Sequence, residues 1–157
     1  MWTTQHSAGT GAPASVVWSA LRDLHSGTPL GPASDRFELH GPFAVGTTVT
    51  VTPQGQDSMT SEIVELEPER VYADRTAFGG LTLTFRHTLA PHSDGGTDVT
   101  HTLEIDGEDA DAVGPELGPQ IAGDFPVAMA ELLRAAEVRV AEARAEAEAA
   151  ESQADRG

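Results

Sequence analysis

Four side chains in this sequence are suited to acid–base chemistry: two histidines, a tyrosine and an aspartate. His87 and His101 fall in two runs of alternating apolar residues. Tyr72 and Asp74 lie two positions apart in the run that precedes them. An imidazole takes or gives a proton near neutral pH, and apolar surroundings favour its neutral form. A phenol beside it can donate a hydrogen bond to a carbonyl oxygen as an enolate develops. These residue types indicate proton abstraction next to a carbonyl.

The pair Gly79-Gly80 predicts how two of these runs face each other. Gly-Gly favours a two-residue hairpin turn, which fixes the register of the strands on either side. The second strand of this hairpin carries its apolar residues on one face, and His87 shares that face. The predicted partners are Phe78 with Leu81, Thr76 with Leu83, Asp74 with Phe85, and Tyr72 with His87.

A second turn, within residues 92–96, predicts the next register. Ser93 and Asp94 suit a type I turn, and Gly95 suits the left-handed position that follows. This loop pairs Leu89 with Val99 and His87 with His101. The two turns together predict a row across three adjacent strands, formed by Tyr72, His87 and His101, with Asp74 one row away.

Structural roles must be weighed against these catalytic ones. Buried histidines are often core residues satisfied by water or backbone, and for His87 and His101 both interpretations stay open. For Tyr72 and Asp74 the structural role is favoured, because a one-residue slip in register would turn both outward. A metal held by this group is not expected, since no cysteine and no short histidine motif is present. The remaining histidines are expected in surface or loop positions; they are His6, His25, His40 and His92.

Large apolar side chains are candidates for the wall of a ligand cavity. Their size and, for methionine, their flexibility suit such a wall, although ordinary core packing also explains them. The candidates are Trp18, Phe43, Met59, Phe78, Leu83, Phe85, Leu103, Phe125 and Met129.

The elements that must position these residues follow from hydrophobic periodicity. The pattern predicts an edge strand at residues 2–10 and an amphipathic helix at residues 12–24, with Pro13 in its first turn. Six strands with short connections then predict an antiparallel sheet. Their predicted ranges are 36–40, 45–53, 58–67, 70–78, 81–90 and 97–106.

A long C-terminal helix is predicted after the Gly114-Pro115 and Gly118-Pro119 breaks. Its apolar stripe is made of Phe125, Met129, Leu132, Ala136 and Val140. Residues 141–150 contain only Ala, Glu and one Arg, so this part of the helix has little to bury and is expected to project or fray. We therefore predict one domain at residues 1–140 and a helical extension at residues 141–157. The sheet should curl around the helix and leave a cavity in an α+β fold.

Composition excludes several functions. The chain has 157 residues, of which 39% are hydrophobic and 22% charged, as in one ordinary globular domain. A net charge of -16 opposes binding to nucleic acid or to an anionic membrane. No cysteine or lysine is present, which excludes thiolate chemistry and a lysine Schiff base. No apolar run could span a bilayer, and the N-terminus does not look like a signal peptide, so a cytoplasmic location is expected.

The sequence resembles the SRPBCC superfamily, which contains START domains, pollen-allergen-like proteins and polyketide cyclase/dehydrases. The resemblance is distributed over nearly the whole chain. It is carried by residues 14–23, 37–43, 45–47, 85–89, 94–97 and 107–137. It implies a helix-grip fold with a hydrophobic ligand cavity, in which catalysis is optional. At residues 25–28 the chain departs from many relatives, which carry tryptophans there.

Three functions are compatible with these features. The first is a cofactor-independent cyclase/dehydratase in which His87 or His101 abstracts a proton and Tyr72 stabilises the enolate. The second is a non-catalytic carrier or sequestering protein for a lipid or secondary metabolite. The third is an interaction module that uses the Ala/Glu-rich tail, as in co-chaperone-like relatives. The expected partner is a small hydrophobic, polyketide- or lipid-like molecule, and the expected state is a monomer or homodimer. The Arg, Ala and Gly bias is typical of a GC-rich bacterial genome.

Overall fold

One antiparallel sheet packed against three helices makes up the computed structural model, which describes residues 1–155. The strands are β1 (Trp2–Thr10), β2 (Arg36–Leu39), β3 (Thr48–Thr52), β4 (Met59–Glu67), β5 (Val71–Phe78), β6 (Leu81–Pro91) and β7 (Thr97–Asp106). The helices are α1 (Ala14–His25), α2 (Ala110–Ala122) and α3 (Phe125–Asp155).

The sheet is a six-stranded meander extended by the N-terminal strand. Its order is β1-β7-β6-β5-β4-β3-β2, with every neighbouring pair antiparallel. A register shift between Ile63 and Glu65 in β4 adds local bending and twist. The sheet curves around the C-terminal helix, which packs on β1, β7 and α1. The α+β helix-grip fold expected from the sequence is confirmed.

Helix α1 begins directly after Pro13, whose carbonyl accepts hydrogen bonds from the backbone N–H groups of Val16 and Val17 at 3.0 and 3.2 Å. Val17 and Leu21 are buried one turn apart, as the periodicity predicted. His25 lies one further turn along the same face. The helix therefore aims its last residue at the interior of the sheet.

Helix α2 corrects the prediction that the two Gly-Pro pairs break the chain. Both pairs lie inside this helix, where Gly114 and Gly118 are buried. A Cβ atom on Gly118 would come within 2.0 Å of the Trp2 ring, and one on Gly114 within 2.4 Å. The glycines are therefore needed for the close approach of α2 to the indole of β1. A glycine before each proline also removes the Cβ clash that disfavours helix at that position.

Helix α3 places its apolar stripe as predicted. Phe125, Met129, Leu132 and Ala136 are buried, and Val140 is half-buried. The helix continues without a break to Asp155, and residues 141–154 are exposed. The division of the chain into a domain and an extension at residue 140 remains a prediction. The last two residues of the predicted extension, 156–157, lie outside the described part of the chain.

The hydrophobic core consists of two clusters. The larger one joins α1, residues from every strand of the sheet and the middle of α3 around Leu21, Ile63 and Met129. The smaller one surrounds Leu83 and Leu103 and is covered by α2. The space between the sheet, α2 and α3 is lined by members of both clusters, and it forms the site described next.

Candidate functional site

A cavity of about 640 Å³ lies between the concave face of the sheet and the helices α1, α2 and α3. Its volume is in the range of small-molecule sites. Most of its wall is apolar. Four titratable side chains of the lining come from the interior of the fold; they are His25, Asp74, His87 and His101, and we call them the polar floor. Three carboxylates lie on its solvent side; they are Asp35, Asp124 and Glu131, and we call this the mouth.

The two hairpin registers predicted from the turns are confirmed. Tyr72 pairs with His87 across β5 and β6, and His87 pairs with His101 across β6 and β7. The imidazoles of His87 and His101 meet edge to face, with their centroids 4.2 Å apart and their planes at 87°. Both line the cavity. Whether they are catalytic stays a prediction.

Each of these two imidazoles has a buried nitrogen without a hydrogen-bond partner in the described part of the chain. These atoms are Nδ1 of His87 and Nε2 of His101. An unsatisfied buried polar atom costs about 1–3 kcal/mol, so such atoms are rare in folds that have no use for them. The pair therefore retains hydrogen-bonding capacity that the fold itself does not use.

His25 corrects the prediction of a surface or loop position. Its side chain is 3% exposed, lines the cavity, and is bonded through Nδ1 to the carbonyl oxygen of Leu21 at 2.8 Å. Its ring lies 4.1 Å from that of Tyr72 and 5.1 Å from that of His87. The four-residue spacing of Val17, Leu21 and His25 is the sequence signal that identifies this position.

His6 is likewise not a surface residue. It is half-buried on β1 and pairs with His101 on β7, so the row of titratable side chains extends to a fourth strand. It does not line the cavity. His40 and His92 are exposed, as predicted.

Burial keeps the imidazoles of the polar floor neutral. Desolvation lowers the pKa of His25 to about 4, against a smaller opposing effect of its hydrogen bond to Leu21. Desolvation, followed by the nearby His25 and His6, lowers the pKa of His101 to about 3. The pKa of His87 is also well below its usual value, because the ring is desolvated and has two imidazole neighbours. At neutral pH each ring therefore offers one N–H donor and one acceptor nitrogen.

Tyr72 and Asp74 form a buried pair. The Tyr72 hydroxyl donates a hydrogen bond to Oδ2 of Asp74 at 2.8 Å, and neither side chain is more than 4% exposed. Burial raises the pKa of Asp74 to about 6, although the bond from Tyr72 opposes this shift. Asp74 lines the cavity, whereas Tyr72 lies behind it, stacked against Phe43 at 5.5 Å. Any effect of Tyr72 on a ligand would therefore pass through Asp74.

The predicted wall residues fall into two groups. Those that line the cavity are Met59, Phe78, Leu83, Phe85 and Phe125. Those that lie in the surrounding core instead are Trp18, Phe43, Leu103 and Met129. In the second group Trp18 packs edge to face on Phe43 at 6.2 Å, and this pair closes the α1 side of the core. Residue size alone did not separate wall from core, because both surfaces are apolar.

The mouth was not anticipated from the sequence. Glu131 on α3 accepts hydrogen bonds from the Ala33 backbone N–H at 2.9 Å and from the Ser34 hydroxyl at 3.0 Å. These bonds fasten the loop between α1 and β2 across the cavity. The path of this loop depends on α3, about 100 residues later in the chain, so local sequence gives no signal for it.

Neither a metal site nor a membrane-spanning helix is found in the described residues. Within residues 1–155 no three His, Asp or Glu side chains are arranged so that they could hold a metal ion. In the same part of the chain, no helix is long and apolar enough to cross a membrane.

Known proteins share the family and the fold of this chain. A family model described as polyketide cyclase / dehydrase and lipid transport matches residues 1–145. No curated protein matches the chain. Among solved structures, the Zhui aromatase/cyclase from Streptomyces sp. R1128 is similar, with 18% identity and a TM-score of 0.70 over 88% of this chain and 95% of that one.

Two further structures share the fold. A point mutant of norcoclaurine synthase from Thalictrum flavum, in complex with a transition-state analogue, has 14% identity and a TM-score of 0.67, over 88% of this chain and 95% of that one. Protein NE0264 from Nitrosomonas europaea has 14% identity and a TM-score of 0.66, over 88% and 96% of the two chains. At such identities these similarities establish the fold alone.

Proposed function

Because the chain belongs to the polyketide cyclase/dehydrase and lipid transport family, as its SRPBCC resemblance implied, we propose that its cavity binds a small, largely apolar molecule and acts on it by acid–base chemistry. The observation that carries this proposal is the polar floor at the inner end of an apolar cavity. Similarity to an aromatase/cyclase supports the reaction class. A cytoplasmic, bacterial role in secondary metabolism belongs to the same proposal.

The pKa shifts of Asp74 and the imidazoles assign catalytic roles that differ from those predicted from the sequence. At pH 7 Asp74 is mostly ionised, and with a pKa of about 6 it is a stronger base than the neutral imidazole of His101, whose pKa is about 3. Asp74 therefore removes the proton. A neutral imidazole N–H of His87 or His101 donates to the carbonyl oxygen on which negative charge develops.

The positions of Asp74 and His87 suit the roles of base and hydrogen-bond donor. Asp74 faces Phe85, so it is the diagonal neighbour of His87 on the adjacent strand, at a residue separation of about 7–8 Å. Because both side chains line the cavity, a carbonyl and its α-carbon can contact both of them. The C–H bond breaks toward the Asp74 carboxylate, and its electron pair moves to the carbonyl oxygen. The enolate carbon then attacks a second carbonyl carbon, and the oxygen of that carbonyl takes up the proton held by Asp74, which returns the carboxylate to its ionised form. The shape of the apolar wall selects which carbons meet.

The exchange of α-protons for deuterium in 2-tetralone tests the base directly. The wild-type protein in D₂O is expected to accelerate exchange above the buffer rate, as followed by proton NMR. Asp74→Asn should lower the acceleration by about 10²–10⁴-fold, as for loss of a general base. Glu38→Gln, which removes an exposed carboxylate on β2, is the matched control and should leave the rate unchanged.

The histidine variants and the pH profile separate the two possible bases. His87→Gln and His101→Gln retain an N–H donor, so they should lose less activity than Asp74→Asn. The rate should rise with pH through about 6, where Asp74 ionises. A rate that is flat from pH 5 to 8 and abolished by either Gln variant would assign the base to histidine.

A non-catalytic carrier is the second candidate, because the matching family includes lipid-transport proteins. In that case the polar floor only hydrogen-bonds a ligand oxygen. Binding of 2-tetralone without any accelerated exchange would favour the carrier over the enzyme.

A further inference from the structure

The mouth of the cavity carries negative charge with no positive charge to balance it. Asp35 is half-buried and Asp124 exposed, and both line the cavity. No ion pair within residues 1–155 involves either carboxylate. Burial, followed by the negative charge of Asp124, raises the pKa of Asp35; a hydrogen bond from the Gln54 backbone N–H opposes this shift, and Glu131 adds to it. Asp35 is therefore close enough to Asp124 and Glu131 to feel the negative charge of both.

Glu131 differs from the other two because both of its carboxylate oxygens hold the loop between α1 and β2. Its carboxylate accepts the hydrogen bonds from Ala33 and Ser34, and Gly31 lies so close that a Cβ there would come within 2.5 Å of Oε2. The loop is thus built around Glu131. Asp35 accepts one bond from the Gln54 backbone, which leaves part of its acceptor capacity free, and Asp124 makes no side-chain hydrogen bond within the described residues. These two carboxylates can therefore bind a ligand at the mouth.

The polar floor provides an independent observation. Asp74 is 4% exposed, and the Tyr72 hydroxyl is its hydrogen-bond donor. His101 is 5% exposed and lines the same cavity with its Nε2 unpartnered. A buried carboxylate is normally paired with a cation, and here the interior supplies neutral imidazoles instead.

Arginine is absent from the whole lining within the described residues. The chain has no lysine, so arginines are its basic side chains other than histidine. Two of them form ion pairs away from the cavity: Arg86 with Glu65 and Glu104, and Arg139 with Asp23. Arg36, which follows Asp35 in the chain, is exposed and does not line the cavity. An anionic ligand would therefore meet only carboxylates and neutral groups, which oppose its binding.

We propose that the natural ligand is a cationic amine on an apolar skeleton, with its ammonium group at Asp35 and Asp124 and its uncharged oxygen-bearing end at the polar floor. The same charges weaken the binding of carboxylates and phosphate esters. The chain's net charge of -16 would also attract a cation over longer distances. This inference rests on the proposed function, because it assigns the ligand class of the same cavity.

Three probes with one skeleton and different charges test the inference: 2-(2-naphthyl)ethylamine, 2-(2-naphthyl)ethanol and 2-naphthylacetate. Isothermal titration calorimetry of each at pH 7.5 gives three dissociation constants. We expect the amine to bind about tenfold more tightly than the alcohol, and the carboxylate more weakly than both. The amine-to-alcohol ratio measures the charge preference, and the alcohol alone measures the cavity.

Substitutions at the mouth test which residues cause the preference for the amine. Asp35→Asn/Asp124→Asn should bring the ratio close to one without weakening the alcohol, and Asp124→Asn, at an exposed position, should lower it in part. Glu142→Gln/Glu146→Gln makes the same change in net charge on the exposed end of α3 and should leave the ratio unchanged.

The outcomes distinguish this inference from the proposed function. If the alcohol binds but the amine has no advantage, or if the α3 control lowers the ratio equally, the mouth does not select a cation, while ligand binding by the cavity stands. Tighter binding of the carboxylate than of the amine also overturns the inference. If none of the three probes binds, both proposals are contradicted.

Discussion

The protonation states of three buried imidazoles and one buried carboxyl decide what the floor of the cavity can do. All four groups are desolvated, which favours the neutral form of each. For the imidazoles this lowers the pKa, and for Asp74 it raises the pKa. The usual order of basicity between carboxylate and imidazole is thereby reversed. Roles assigned from residue type alone would therefore differ from those assigned after burial is known.

The same pKa shifts predict acid sensitivity. An unfolded chain binds a proton at His25 below pH 6.5, whereas the folded one does so only below about 4. Stability from this residue is complete above pH 6.5 and is lost as the pH falls through that window, by up to about 3 kcal/mol. Asp74 has the opposite sign, because its raised pKa makes the folded state bind the proton first. With three imidazoles against one carboxyl, we expect net destabilisation between pH 6.5 and 4.

Urea unfolding at a series of pH values, followed by circular dichroism, measures this effect. His25→Gln should flatten the fall in the free energy of unfolding between pH 6.5 and 4. His92→Gln, on an exposed turn, serves as the control and should not flatten it. An unchanged acid profile in His25→Gln would show that this imidazole is not held neutral by burial.

For individual residues, the sequence predicted which strand positions pair, but it did not predict what surrounds each side chain. Two glycine turns were sufficient to align Tyr72, His87 and His101, because turn type fixes every pair along a hairpin. His25 was missed because it lies at the last residue of its helix, where the chain looked like a loop. The helical spacing from Leu21 was the available signal. The separation of Tyr72 from the cavity was not predictable, since it depends on which aromatic ring packs in front.

The order and type of the elements follow closely from the sequence, since hydrophobic periodicity and turn residues act locally. Helix α2 is the exception. Two Gly-Pro pairs are ordinarily breakers, but tertiary packing of Trp2 against Gly114 and Gly118 favours the helix here. Trp2 lies on β1, more than 100 residues earlier, so no local pattern reveals the contact. The smaller core cluster and one wall of the cavity depend on it.

The end of helix α3 gives a prediction about the boundary of the domain. Residues 141–154 are exposed, so they contribute helix propensity but bury little apolar surface. Deleting residues 141–157 should change the midpoint of thermal unfolding by only a few degrees and leave the affinity for 2-(2-naphthyl)ethanol unchanged. Differential scanning calorimetry and titration calorimetry measure the two quantities.

The opposite result for the truncated protein would favour the third function predicted from the sequence, an interaction module. If the truncated protein loses a defined oligomeric state by light scattering, the tail is an interaction module. A large fall in the unfolding midpoint would instead show that the folded domain extends beyond residue 140.

Over the whole molecule, the curved sheet and the long helix enclose more space than their side chains fill. The core is divided into two clusters, and the cavity is lined by both. The resulting cavity of about 640 Å³ is large enough for a small molecule. A ligand that binds there in the folded state, and not to the unfolded chain, would stabilise the fold by mass action.

Native mass spectrometry with 2-(2-naphthyl)ethanol tests most directly whether this cavity is the binding site. The wild-type protein should show a single 1:1 adduct, and Leu83→Trp, which places an indole ring in the cavity, should weaken it. Val138→Trp adds the same ring at an exposed position of α3 and should keep the adduct. No adduct with the wild type, or an equal adduct with Leu83→Trp, would contradict ligand binding in the cavity.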